Sequence, residues 1–109
     1  ASGAIKVYVC NVATQPGETD GYTVGDHYRA LSAHLGPGFC HFVLANSNMS
    51  YALPSASGSA LVPPEFNCDD SCRLVLGDLV DPQLPWRHEP DKLAKALQQI
   101  YEVHRQQAF

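Results

Sequence analysis

Apolar and polar positions along this chain fall into blocks whose period changes from strand to helix and back. Ile5-Lys6-Val7-Tyr8-Val9-Cys10 is β-branched and apolar on both faces. That pattern predicts an inner strand of a parallel sheet, covered on both sides. A polar stretch punctuated by Gly and Pro follows, and out of it Thr23 opens a helix as N-cap, with Asp26 three residues on as a variant capping box. Val24, Tyr28, Leu31 and Leu35 keep helical spacing until Gly36-Pro37 stops them. Phe39 to Ala45 is a second apolar run, ending at Asn46. Strand, helix, strand predicts a parallel, right-handed βαβ unit.

The second half is less regular. Ser47 to Pro64 is rich in Ser, Ala, Gly and Pro without periodicity, which predicts a long, mobile loop. Arg73 to Val80 reads as a short strand interrupted at Gly77-Asp78, and Asp81-Pro82 and Leu84-Pro85 mark turns. Trp86-Arg87-His88 precedes a last helix in which Pro90 suits the first turn and Glu89 and Asp91 favour the positive end of the dipole. Leu93, Leu97, Ile100 and His104, flanked by Ala94, Ala96 and Tyr101, form its apolar face.

Composition narrows the function classes. The chain has 109 residues, 45% hydrophobic and 17% charged, enough for one small ordered domain. A net charge of −4, with seven scattered Lys and Arg, argues against a nucleic-acid partner. No run of about 18 apolar residues is present, so no membrane partner is expected. Neither a basic n-region nor an apolar h-region opens the chain, and a cytoplasmic location is expected. Cys10 and Cys40 sit in apolar runs and read as small buried residues. Cys68-x-x-x-Cys72 has the spacing of a metal pair or a disulfide, but no second pair accompanies it, and no metal site is assigned.

The loop between the first strand and the first helix stands where α/β proteins place ligands. Thr14, Gln15, Thr19 and Tyr22 offer hydrogen bonds there, while Gly17 and Gly21 let backbone approach a ligand closely. N–H groups at the following helix start are a receptor for an anion such as phosphate. Glu18, Asp20 and Asp26 would repel bare phosphate and suit sugar hydroxyls or a bridging metal better. The plainer alternative is a tight βα loop whose polar groups only cap the helix. Residue types alone leave both readings open.

A longer pattern carries more. Lys6-Val7-Tyr8-Val9-Cys10-Asn11-Val12-x-Thr14-Gln15-Pro16-Gly17-Glu18-Thr19-x-x-Tyr22-Thr23-x-x-Asp26-His27 resembles the signature of the YvcK-like proteins, the bacterial gluconeogenesis-factor family. That family is related to the 2-phospho-L-lactate transferases of coenzyme F420 synthesis. The similarity runs from Ala4 to Asn46 and returns at Trp86-Arg87-His88-Glu89 with the helix after it, and it is poor between Ser47 and Asp81.

The resemblance implies a Rossmann-like α/β fold, a parallel three-layer sandwich. This chain would be its C-terminal portion: 1–109 lacks the family's Gly-rich phosphate loop and the Asp-rich segment after it. It implies a regulatory protein that binds a nucleotide sugar of the UDP-N-acetylglucosamine type and is linked to carbon metabolism and to cell-envelope and cell-shape control. Ligand-binding residues would be Asn11, Thr14, Gln15, Gly17, Glu18, Thr19 and Tyr22, joined by Arg87, whose guanidinium suits a diphosphate. A surface ion pair with Glu89 or Asp91 is the competing role for Arg87. His88 stands to orient Arg87 or to cap the last helix, the cap being the favoured role, and His27 is expected to be a packed imidazole, while Tyr51 is a candidate to stack on a base or sugar. His34, His41 and His104 receive no role. Expected partners are a nucleotide sugar or other diphosphate, the N-terminal remainder of the protein, and a second copy in a homodimer. The alternative readings are a phospholactyl transferase using a diphosphate-linked donor, with Mg²⁺ as cofactor, and a structural half-domain that completes a sheet or dimer interface. No catalytic residue is assigned.

Overall fold

The computed structural model describes residues 5–36, 38–51, 53, 58–66 and 72–107. Three strands, β1 (Val7–Val9), β2 (Phe42–Asn46) and β3 (Arg73–Gly77), form one parallel sheet in the order β1-β2-β3. Val7, Tyr8 and Val9 stand opposite Phe42, Val43 and Leu44, and β2 runs beside β3 from Phe42–Arg73 to Asn46–Gly77. Helix α1 (Val24–Leu35) joins β1 to β2, and α2 (Pro90–Gln107) ends the chain.

Alternation along β2 decides which helix goes where. Val43 and Ala45 point into a cluster with Val24 and Tyr28 of α1 and with Tyr8, Leu74 and Phe66. Phe42 and Leu44 point the other way, to Ile100, Leu93 and Leu97 of α2 with Val7, Val9 and Val75. The sheet therefore lies between two helices, the parallel three-layer α/β arrangement expected of it. All five residues of β2 are buried.

Within the described sheet β2 is the strand flanked on both sides, and β1 takes one edge with its residues half-buried. Apolarity on both faces does mark the layers above and below β1, because Tyr8 faces the α1 cluster while Val7 and Val9 face the α2 cluster.

Caps follow the sequence with one exchange. Thr23 and Asp26 form the predicted capping box: Asp26 N–H donates to Thr23 Oγ1 at 3.2 Å, and Thr23 N–H donates to Asp26 Oδ2 at 2.9 Å. Helix α2 is capped by Glu89, whose carboxylate accepts from the N–H groups of Asp91 (3.2 Å) and Lys92 (2.8 Å). His88 is thus not the cap. Its ring Nε2 lies 3.0 Å from the carbonyl oxygen of Cys10, at the end of β1.

The long loop is also not loose where it is described. Leu61 and Val62 are buried, and an antiparallel bridge joins Leu61 to Ala13. Ala52 and 54–57 lie outside the described residues, as do 1–4, Pro37 and Cys68, so the Cys68–Cys72 pair stays open. Cys10, Cys40 and Cys72 are buried, as read for the first two.

Candidate functional site

The loop after β1 is shaped by its own side chains. Gln15 N–H donates to Thr19 Oγ1 at 2.7 Å, and Gly17 N–H donates to Asp20 Oδ2 at 2.8 Å. N–H groups of Glu18 and Thr19 both donate to the Gln15 carbonyl, which winds Gln15–Thr19 into one tight turn. Gly17 (φ +80°) and Gly21 (φ +74°) sit in the left-handed region that favours glycine. Asp20 and Thr19 thus build the loop itself.

A second strand-like segment clasps the loop from outside. Thr14 N–H donates to the Ala60 carbonyl at 2.8 Å, and Ala60 N–H returns a bond to Thr14 Oγ1 at 3.0 Å. Val62 N–H donates to the Val12 carbonyl at 2.8 Å. The chain then runs over the start of α1, where Pro63 and Glu65 carbonyls accept from the N–H groups of Val24 (3.0 Å) and Gly25 (2.8 Å). The anion receptor expected at this helix start is therefore used up. Its first three donors are bonded to Pro63, Glu65 and Thr23.

Opposite the loop, the turn before α2 is equally fixed. Asp81 is buried, and its Oδ1 accepts from the N–H groups of Gln83 (2.9 Å) and Leu84 (3.3 Å). Arg87 Nε donates to Oδ2 of the same carboxylate at 3.2 Å. Asp81 N–H donates to the Arg87 carbonyl and Arg87 N–H to the Leu84 carbonyl, closing the turn on itself. The Gln83 N–H first, and then those of Leu84 and the Arg87 guanidinium, hold the Asp81 carboxyl below its ordinary range. Glu89 and Asp91, the expected partners of Arg87, are not the ones used. With Nε held and its side chain 56% exposed, Arg87 keeps its two Nη groups for a ligand.

Between loop and turn lies a cleft of about 330 Å³, lined by Asn11 through Pro16, Ser59, and Trp86, Arg87 and His88. Of the residues singled out in the sequence, Asn11, Thr14, Gln15 and Arg87 line it. Gly17, Glu18, Thr19 and Tyr22 do not. Glu18 is exposed, and Tyr22 packs edge-on against His27 with ring centroids 5.1 Å apart. Tyr51 packs against the buried cluster of Val12, Leu61 and Val80, which supports the loop from behind. Ser59, Asp81 and Trp86 were not marked as site residues. The signal for Asp81 was its place at the head of a Pro-containing turn six residues before Arg87.

The electrostatics of the cleft are simple. Among the described lining residues Arg87 is the one permanent cation and none is a carboxylate. Burial pushes the thiol of Cys10, the residue before Asn11, up to about 11. Among the described residues no three of His, Cys, Asp and Glu gather to hold a metal ion. No helix among them is long and apolar enough to cross a membrane. The cleft can take an anion that carries a flat or apolar body.

Comparison with known proteins agrees with the scaffold. The family model described as 2-phospho-L-lactate transferase CofD matches residues 1–75. A gluconeogenesis factor of Bacillus subtilis is 36% identical over 106 residues, 86% of this chain and 32% of that protein. A putative gluconeogenesis factor of Thermotoga maritima is 36% identical over 115 residues, covering 91% of this chain and 34% of its own length. The crystal structure of a UPF0052-family protein from Bacillus halodurans superposes with a TM-score of 0.68 at 30% identity, covering 87% of this chain and 33% of that one. The chain thus spans about a third of the length of these relatives. It belongs to the CofD family, in the branch of proteins named gluconeogenesis factors.

Proposed function

We propose that the cleft binds a nucleotide sugar of the UDP-N-acetylglucosamine type through its diphosphate, and that the whole protein acts as a ligand-responsive regulator of carbon metabolism and of the cell envelope. One observation carries this reading. Arg87, aimed by the buried Asp81, faces the Asn11–Pro16 loop across a cleft with no carboxylate in its described lining. A guanidinium with both Nη groups open suits paired phosphate oxygens, and no acidic side chain of the lining opposes them. Asn11, Thr14 and Gln15 supply the polar contacts that fix orientation. A volume of about 330 Å³ is at the small end for ligand clefts, so the cleft holds the diphosphate and one ring while the second ring leaves toward Gly17–Thr19.

The second reading is a phospholactyl-type transferase working on a diphosphate-linked donor held by the same Arg87. The test is thermal denaturation of the full-length protein with UDP-N-acetylglucosamine. A binder gains about 2.7 kcal/mol at a hundredfold excess over the dissociation constant and leaves the ligand intact. Release of a nucleotide from the donor would favour the transferase, and no stabilisation at millimolar ligand would sink the binding reading.

A further inference from the structure

Trp86 is the chain's single tryptophan, yet its indole is 49% exposed and joins none of the three buried clusters. A large ring left on the surface forgoes burial worth more than that of any other side chain, and such rings are enriched where a partner covers them. This one is held in place. The Asp81–Arg87 turn closes on itself through two backbone hydrogen bonds and the Asp81 carboxylate, and Trp86 lies inside that closure. It lines the cleft next to Arg87, together with Gln15 and Pro16 of the loop.

Resting on the nucleotide-sugar reading of the cleft, we propose that Trp86 is the stacking platform for the ligand's nucleobase, with Arg87 beside it on the diphosphate. The cleft then selects base-bearing diphosphates over sugar phosphates and bare pyrophosphate. Two features favour the base over the sugar as the ring that Trp86 covers. A pyranose shows several hydroxyls, which are commonly held by carboxylates, and no carboxylate is in the described lining. Thr14 Oγ1 accepts from Ala60 N–H and keeps its O–H to donate, beside the Asn11 and Gln15 amides on the same loop. A side-chain amide presents one acceptor and two donors, the complement of a base edge with its own N–H and C=O. Stacking on an indole uses the flat face that every base has.

The experiment uses the full-length protein and four probes: UDP, UDP-N-acetylglucosamine, N-acetylglucosamine 1-phosphate and inorganic pyrophosphate. Tryptophan emission is titrated in the wild type and in Trp86→Phe, so that the difference isolates this indole. UDP and UDP-N-acetylglucosamine are expected to quench it saturably, and pyrophosphate to leave it unchanged. Trp86→Phe should keep UDP affinity within a few fold, while Trp86→Leu should lose about tenfold, the worth of one stacked base, with pyrophosphate binding unaltered. Equal UDP affinity in wild type and Trp86→Leu overturns the proposal and leaves the nucleotide-sugar reading standing. So does quenching by the sugar phosphate but not by UDP. Failure of the wild type to bind either nucleotide overturns both.

Discussion

His88 Nε2 stands 3.0 Å from the carbonyl oxygen of Cys10, so two residues 78 positions apart join the end of β1 to the entry of α2. A carbonyl can only accept, so Nε2 carries the hydrogen in this contact. The bond sets the spacing of the cleft, since Asn11 follows Cys10 in one wall and Arg87 precedes His88 in the other.

Replacing His88 with Ala removes that tie and leaves a carbonyl of the core residue Cys10 without its partner. We expect about 1–2 kcal/mol of lost stability by urea denaturation, together with weaker ligand binding. Wild-type values for both would show that the imidazole is incidental.

Arg87→Ala should cost on the order of 1.5–3 kcal/mol of ligand binding, the worth of a hydrogen bond to a charged group. Folding should change little, because Asp81 keeps two backbone donors. Arg87→Lys should not restore affinity, since an ammonium lacks the fork that reaches Asp81 and a diphosphate together. Full binding by the lysine variant in calorimetry would contradict this.

His27 titrates in the opposite sense to a salt-bridged group. It is 7% exposed, its Nε2 has no partner among the described residues, and burial lowers its pKa against the opposing pull of Asp26. The unfolded chain therefore binds a proton that the folded one refuses. Stability is intact above the ordinary imidazole value and falls as pH drops through it toward the depressed folded value. His27→Phe keeps a ring against Tyr22 and should flatten that slope below about pH 6.5 in equilibrium denaturation. An unchanged slope would place the titration elsewhere.

Much of this architecture is legible in the residues, and the misses share a cause. Periodicity finds both helices and all three strands, because alternation along Phe42–Asn46 and the 3.6-residue spacing in α1 are local properties. The capping box is local too. What sequence could not show was where donors far apart in the chain find acceptors. The α1 start looked open to an anion because Pro63 and Glu65 are about forty residues away and sit in a stretch with no period. His88 looked like a cap because Glu89, one position on, does the same work better. In the site, Arg87 and the Asn11–Gln15 loop could be paired by the rule that ligands gather at the carboxyl edge of a parallel sheet. Thr19 and Tyr22 fell outside the cleft because one folds back on Gln15 and the other onto His27.

Gly17→Ala tests the backbone of the loop. A Cβ there meets nothing within 4 Å, so only the φ of +80° resists it. About 1–2 kcal/mol of destabilisation is expected, with the cleft intact and ligand affinity little changed. A large loss of affinity at wild-type stability would instead put Gly17 in contact with ligand.

The clasp between Thr14 and Ala60 has a counterpart at the other end of the same stretch. Asn46 Oδ1 accepts from the N–H groups of Asn48 and Leu79, both at 3.1 Å, and Ser47 N–H donates to the Gly77 carbonyl at 2.8 Å. Chain fastened at both ends can change in length between its fastenings without moving either. Lengthening such a connection costs only about 0.6 kcal/mol per doubling. The exposed Met49–Ser50 step, ahead of the packed Tyr51 and Leu53, is therefore the described place where relatives can gain or lose segments while the cleft keeps its shape. A tag or a second binding element is best inserted there.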